Sequence, residues 1–537
     1  MVRQIVNEII LKALKRLADA GVFVITDTDL AGEGNSVSPC KDRVHGDYSS
    51  NIAMRLSRSL KKNPLEIAVA IAEEIKKDKN FPKLFAAVNT AAPGFINFVL
   101  SPDYLASQTV AILRSGAKYG KINVGKGKKT QVEFVSANPS GQLHVGNGRS
   151  AFYGDALSNV LSAAGYKVER EYYINDAKVS KQIQTLGVTA LGRGEAYLSP
   201  YLKEKIASLQ GKLSKISSET DAGYFLAGQV AKDLKKFVEK DLRIKFDNWM
   251  SEEDLYKDRL VMKTYDILKK KGLVIAKEDA YWLDMSKYGQ KDEVLLRTNG
   301  SPTYFLSDIA YHLDKMKRGF KKIIDIWGAD HQGHVPRMKA VMDILGYKGD
   351  FEVLICQIVT IKGGKISKRE GNIISLNWLI DEVGVDAARF FYLQNSLQSQ
   401  MEFDVNLAKQ RSSDSPVFYV QYAHARIASI LRKAKAKKIS ALTADFELLQ
   451  HPAETALMKD LLRLPEIVED TARDYQVQRV CLYATELAAS FHKFYGECQV
   501  ICDQPKLAKA RLALAYSTKI TLENSLALLG ISAPEKM

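Results

Sequence analysis

Val132-Glu133-Phe134-Val135-Ser136-Ala137-Asn138-Pro139-Ser140-Gly141-Gln142-Leu143-His144-Val145-Gly146-Asn147 is the stretch on which the fold turns. Gln131 to Ser136 reads as a short buried strand, Pro139 and Gly141 mark a turn, and Gly148 to Ala164 has helical spacing. Lys167 to Ile174 then reads as a second strand. Strand, helix and strand in that order form a βαβ unit, which predicts a parallel sheet covered by helices. From about 178 to 242 the pattern turns charged and helical, as in an insertion, and strand-rich sequence resumes at Val294 to Arg297 and Lys322 to Trp327.

On the N-terminal side, residues 1–118 read as an α+β module. It has helices from Val2 to Ala20, around Ser49 to Leu60 and from Pro64 to Lys77, then the alternating strand Phe95 to Leu100. A basic link from Gly116 to Lys129 follows. Within it Gly120 to Lys126 matches the spacing of a phosphate-binding Walker loop. Gly127 stands where Ser or Thr is required and a strand follows instead of a helix, so the segment reads as linker. Beyond 391 helical periodicity dominates, with Tyr419, Tyr422 and Ile427 on one face and Arg426, Arg432, Lys433 and Lys435 supplying charge. The expected architecture is multidomain α/β. It comprises an α+β N-terminal domain (1–118), a Rossmann-type parallel-sheet domain with an insertion (119–390) and an all-α C-terminal bundle (391–537).

At 537 residues the chain exceeds what one core fills. A net charge of +15 suits a polyanionic partner, of which nucleic acid is the commonest soluble one. Cys40, Cys356, Cys481, Cys498 and Cys502 are scattered. No His or Cys pair near Cys498 and Cys502 completes a zinc set, so reduced thiols and no protein-held metal are expected. Glu8 and Asp19 interrupt the first helix, unlike a signal or transit peptide, and no stretch has the length of a membrane span. A cytoplasmic location is the expectation.

Two segments carry chemistry. In the first, Gly146 permits close backbone approach, the helix start attracts negative charge, and His144 and Asn147 offer hydrogen-bond donors to phosphate oxygens. In the second, Lys365-Ile366-Ser367-Lys368-Arg369 lies between glycines. Such a cationic loop can neutralise a departing pyrophosphate, where one lost contact costs about 3 kcal/mol.

Together these segments resemble the two signatures of class I aminoacyl-tRNA synthetases, and the whole chain resembles the arginyl-tRNA synthetases. Shared stretches include Gly46 to Asn51, Phe95 to Phe98, Val132 to Pro139, Gly328 to His331, Gly384 to Arg389, Tyr419 to Arg426 and Ala533 to Met537. The resemblance implies an arginine-tRNA ligase using ATP and Mg²⁺, with L-arginine and tRNA(Arg) as partners, and a monomer is the default. It implies His144, Asn147, Lys365 and Lys368 as catalytic. ATP would meet Gly146, Gly328, Asp330, His331, His334 and Ser367. Arginine would meet Glu133, Ser136, Asn138, Tyr304 and Asp308, the last two sharing a helix face at a spacing of four. The resemblance also gives the C-terminal bundle the anticodon and the N-terminal module the outer corner of tRNA, without assigning the residues that touch it. His334 has a second reading as a packed histidine, and His424 and Arg426 read either as RNA contacts or as packing. Asn147 departs from the usual second histidine and cannot become cationic. Two rival readings remain: a small nucleotidylyltransferase, which needs no lysine loop, and a non-catalytic RNA-binding relative, against which Glu133, Lys365 and Lys368 argue.

Overall fold

The computed structural model describes residues 1–26, 36–40, 42–362, 374–412, 414–440 and 444–537. Lys365, Ser367 and Lys368 therefore lie outside the described residues.

A five-stranded parallel sheet forms the centre. Its strands are β1 (Lys129–Glu133), β2 (Lys167–Ile174), β3 (Asn248–Ser251), β4 (Lys322–Gly328) and β5 (Asp350–Cys356), in spatial order β5-β4-β1-β2-β3. The chain builds outward through β2 and β3, then returns to the other side of β1 for β4 and β5. That reversal opens a crevice at the carboxyl ends of β1 and β4, where such sheets bind ligands.

Helix α1 (Val145–Ala163) joins β1 to β2. Gly154 brings it close to the sheet, for a Cβ there would lie 2.2 Å from the Phe134 ring. The insertion follows β2 and contains α2 (Lys181–Ala190) and α3 (Glu219–Lys240). These helices cross at Gly187 and Gly223, whose missing side chains allow backbone contact: a Cβ on Gly187 would sit 1.7 Å from the Glu219 carbonyl oxygen.

One strand expectation needs correction. The sequence at Val294 to Arg297 does form a strand, Glu293–Leu296, but it joins a separate three-stranded antiparallel sheet. The parallel sheet resumes earlier, at β3, and α4 (Tyr304–Lys317) then leads into β4.

The N-terminal module has an antiparallel sheet of Val37–Pro39, Tyr48–Ser50, Phe95–Leu100 and Phe85–Ala91 in that spatial order. It docks on the C-terminal helices through Arg3, whose guanidinium donates to Asp470 at 2.7 Å, and through Tyr48, whose hydroxyl donates to Glu466 at 3.0 Å. Long helices fill the C-terminal region from Pro416–Ala436 to Pro505–Leu529, after a short strand, Met401–Phe403, that pairs with Val359–Ile361.

Arg389, fully buried, ties these parts together. Its guanidinium donates to Asp155 on α1 at 2.7 Å, to the Leu242 carbonyl at 2.7 Å and to the Leu529 carbonyl at 3.2 Å. Gly530 adopts φ of +69°, and a Cβ there would lie 2.1 Å from the Arg389 guanidinium, so glycine serves both the helix end and the close approach. All five cysteines are free thiols.

Candidate active site

The crevice begins where β1 ends. Val135 and Ser136 have φ of +70° and +40°, a left-handed conformation costly for a β-branched residue. Ser136 is held there from three sides. Its hydroxyl donates to Glu133 at 2.9 Å and accepts from the Tyr173 N–H at 3.1 Å, while its carbonyl accepts from the Asn175 amide at 3.2 Å. The bend turns Asn138 out to solvent and delivers the chain to α1.

His144 caps α1. Its Nδ1 accepts from the Gly146 N–H at 3.1 Å, and burial lowers its pKa. The ring is therefore neutral with its proton on Nε2, facing outward as a donor. A Cβ on Gly146 would come within 2.8 Å of this ring. Asn147 has a structural part that the sequence did not announce: its side-chain oxygen accepts from the His144 N–H at 2.9 Å, closing a capping box. Only its amide NH₂ remains for a ligand.

The base of the lysine segment lies against this turn. The Val145 N–H donates to the Ile374 carbonyl at 3.0 Å, and the Leu376 N–H donates to the Leu143 carbonyl at 2.7 Å. Residue 374 is thus bonded directly to the first signature, and the lysine segment joins the chain there. Gly148 permits the approach, since a Cβ there would meet Leu376 at 2.8 Å.

A row of carboxylates crosses the sheet below the crevice. Asp325, Glu133 and Glu171 are in register on β4, β1 and β2, and therefore share one face. Helix α4 lays its cations on this row. Lys315, fully buried, donates to Glu133 and Asp325 at 2.7 Å each, and Arg318 donates to Glu171 at 2.5 and 2.8 Å. Burial pushes each carboxyl's pKa up, but the outcomes differ. Lys315 and His312 hold Asp325 below its ordinary value, and Arg318 with Lys315 and Tyr311 does the same for Glu171. At Glu133 burial outweighs Lys315 and the pKa stays raised.

Asp308 lies two helical turns before Lys315, about 10 Å nearer the carboxyl end of the sheet by helical rise. It is open to solvent, yet enough protein surrounds it that burial pushes its pKa up to about 6, with Glu133 adding to the rise and His312, His331 and Lys315 opposing it. An accessible carboxyl so enclosed marks a concave site. Tyr304, one turn earlier, is half-exposed and its hydroxyl accepts from the Lys181 N–H at 3.3 Å, which joins the insertion to the crevice wall. Sequence reasoning missed Glu252, a buried acid raised to about 8 chiefly by burial and then by Asp308 and Asp176.

Gly328 ends β4, and a Cβ on it would strike the Asp330 carboxylate at 2.4 Å. Asp330 is exposed and pairs with His331 at 3.3 Å, and the His334 ring lies 6.0 Å from that of His331. Ser136 bonds Glu133, Glu133 and His331 both act on Asp308, and Gly328 ends β4, so these residues gather at the carboxyl end of the sheet. Asn138 and Asp330 are exposed, and His334 is a neighbour of His331.

Farther off, His424 is buried, with Nδ1 2.8 Å from the Pro534 carbonyl, and packs. Arg426 instead lies between the exposed rings of Tyr422 and Tyr495, 4.7 and 5.0 Å from their centroids.

Comparison with known proteins agrees in every part of the chain. The arginyl tRNA synthetase N terminal domain matches residues 4–100, the class I (R) tRNA synthetase catalytic domain 108–241 and 229–428, and the DALR anticodon binding domain 420–537. The arginine--tRNA ligase of Listeria monocytogenes is 44% identical over 93% of both chains. The chain belongs to the arginyl-tRNA synthetases. A Dehalococcoides mccartyi arginine--tRNA ligase is 39% identical over 100% of this chain and 99% of its own. The Thermus thermophilus arginyl-tRNA synthetase has the same fold, with a TM-score of 0.78 over 100% of both chains at 24% identity. Among the described residues no helix is long and apolar enough to cross a membrane.

Proposed function

We infer that this chain is an arginine-tRNA ligase whose crevice between β1 and β4 carries out both steps of the reaction. In the first, the arginine carboxylate attacks the α-phosphate of Mg-ATP, forming arginyl-adenylate and releasing pyrophosphate. In the second, a hydroxyl of the terminal tRNA adenosine attacks the activated carbonyl and AMP leaves. Neither step needs a protein nucleophile, so catalysis is positioning and charge stabilisation.

His144 Nε2–H and the Asn147 amide donate to phosphate oxygens. Lys365 and Lys368, on the segment rooted beside them, neutralise the departing pyrophosphate. Gly146, Gly328, Asp330, His331, His334 and Ser367 surround the nucleotide. Glu133, Ser136, Asn138, Tyr304 and Asp308 hold arginine. Residues 391–537 read the tRNA anticodon, with the Tyr422–Arg426–Tyr495 stack offering ring faces to bases, and residues 1–118 meet the tRNA elsewhere. The enzyme works in the cytoplasm as a monomer.

The observation that carries this reading is Asp308, a solvent-accessible carboxyl on α4 at the carboxyl end of the sheet, in a chain matched along its length by arginine--tRNA ligases. Arginine-dependent ATP-pyrophosphate exchange, measured with and without tRNA, tests it. Exchange that needs arginine is expected, whereas exchange indifferent to amino acid or tRNA binding without exchange rejects it.

The same pocket predicts a pH dependence. The cationic substrate binds the ionised form of Asp308, whose pKa in the free protein is about 6. Acidification below that value protonates the carboxyl, so kcat/KM for arginine should fall about tenfold per pH unit there. In Asp308→Asn that acidic limb should vanish; a limb that persists unchanged assigns the titration elsewhere.

A further inference from the structure

Tyr173 has a buried hydroxyl with nothing to bond. The residue is 6% exposed, and its oxygen has no hydrogen-bond partner among the described residues. An orphaned buried hydroxyl is unfavourable, and proteins keep few of them. Everything else about the side chain is fixed. Its backbone N–H is held by Ser136, and its ring stacks on Tyr311 with centroids 4.2 Å apart and planes 22° from parallel.

The register shows which face of the sheet the side chain stands on. Glu171, two residues earlier on β2, pairs with Glu133, so Tyr173 stands on the same face of the sheet, about 7 Å nearer the crevice. Tyr311, which it stacks on, lies one helical turn beyond Asp308 on α4. Glu252, Asp308, Glu133 and Tyr256 are the groups whose fields act on the hydroxyl. Tyr256 already has a partner, the Ser307 hydroxyl at 2.5 Å. The Tyr173 oxygen is therefore left over among carboxyls, on the carboxyl-end side of Glu133.

We propose that the Tyr173 hydroxyl is a specificity contact for the amino-acid substrate, accepting an N–H from the cationic end of arginine as Asp308 and Glu133 take its charge. The inference rests on the reading of this crevice as the arginine pocket. A phenol oxygen bonded only when substrate is present rewards a ligand that supplies an N–H and penalises one that leaves the oxygen dry.

Tyr173→Phe removes this oxygen and nothing else. No protein partner is lost, so its melting temperature without ligand should equal or slightly exceed that of the parent protein. KM for arginine in pyrophosphate exchange should rise about tenfold to a hundredfold, the effect of a lost bond to a charged group. KM for ATP should stay within about twofold, as uniform loss of amino-acid binding requires. The rise in melting temperature on adding arginine should shrink in parallel. Tyr256→Phe, which does lose a protein partner, should lower the melting temperature and spare KM for arginine. If Tyr173→Phe leaves KM for arginine unchanged while Asp308→Asn raises it, the inference is wrong and the pocket reading survives. If neither variant responds, both fail. A Tyr173→Phe protein that loses stability and both Michaelis constants together also overturns the inference, because the hydroxyl would then be structural.

Discussion

Asp308→Asn raises KM for arginine by about a hundredfold and leaves KM for ATP within twofold, as expected when one partner of an enclosed charge pair is removed. Asparagine keeps the shape of the side chain but offers one neutral acceptor in place of a carboxylate. What is lost is the charge matched to a guanidinium, whose planar donors suit a carboxylate fork. ATP is spared because its proposed donors, His144 and Asn147, sit on the α1 turn and are held by their own capping bonds. Steady-state pyrophosphate exchange with each substrate varied in turn measures both constants. An arginine KM within twofold of the parent removes Asp308 from the pocket.

Lys315→Met is expected to be the most damaging single change to the fold of the central sheet. It removes the ammonium shared by Glu133 and Asp325 and leaves buried carboxylates facing one another, a loss of about 3–5 kcal/mol for a broken buried pair. Thermal unfolding of the variant should show a clearly lower midpoint. Adding Asp325→Asn should recover part of the loss, because one uncompensated charge goes with it. A midpoint equal to that of the parent would mean that the carboxylate row does not depend on Lys315.

The parts of the fold legible in the sequence were those with long, regular patterns. Lys167 to Ile174 is a strand with those very limits, and the turn from Val132 to Asn147 stands between a strand and a helix as its glycines and proline indicate. Asn248–Ser251 escaped notice because the Asn and Ser at its ends read as turn residues. Glu293–Leu296 was legible as a strand but not as a member of a different sheet, since pairing partners leave no mark in local spacing.

The site divides similarly. The spacing of Tyr304 and Asp308 placed them on one helix face and the family resemblance alone gave them a substrate, whereas nothing in local spacing singles out Lys315. A signal was present: Asp325 interrupts the apolar strand Ile323-Ile324-Asp325-Ile326-Trp327, and a buried acid of that kind requires a cation from elsewhere. Tyr173 left no such trace, because an aromatic residue in a strand is ordinary and only the surroundings reveal an oxygen without a partner.

The junction at Arg389 bears on how the molecule is made. Its acceptors on Asp155, Leu242 and Leu529 span the order of synthesis, so a ribosome releases the guanidinium long before the last of them. Until that late turn arrives, a nascent chain holds its nucleotide-binding half around a cation lacking one of its ties. The two halves thus mature as one unit, with the final helix acting as the clasp.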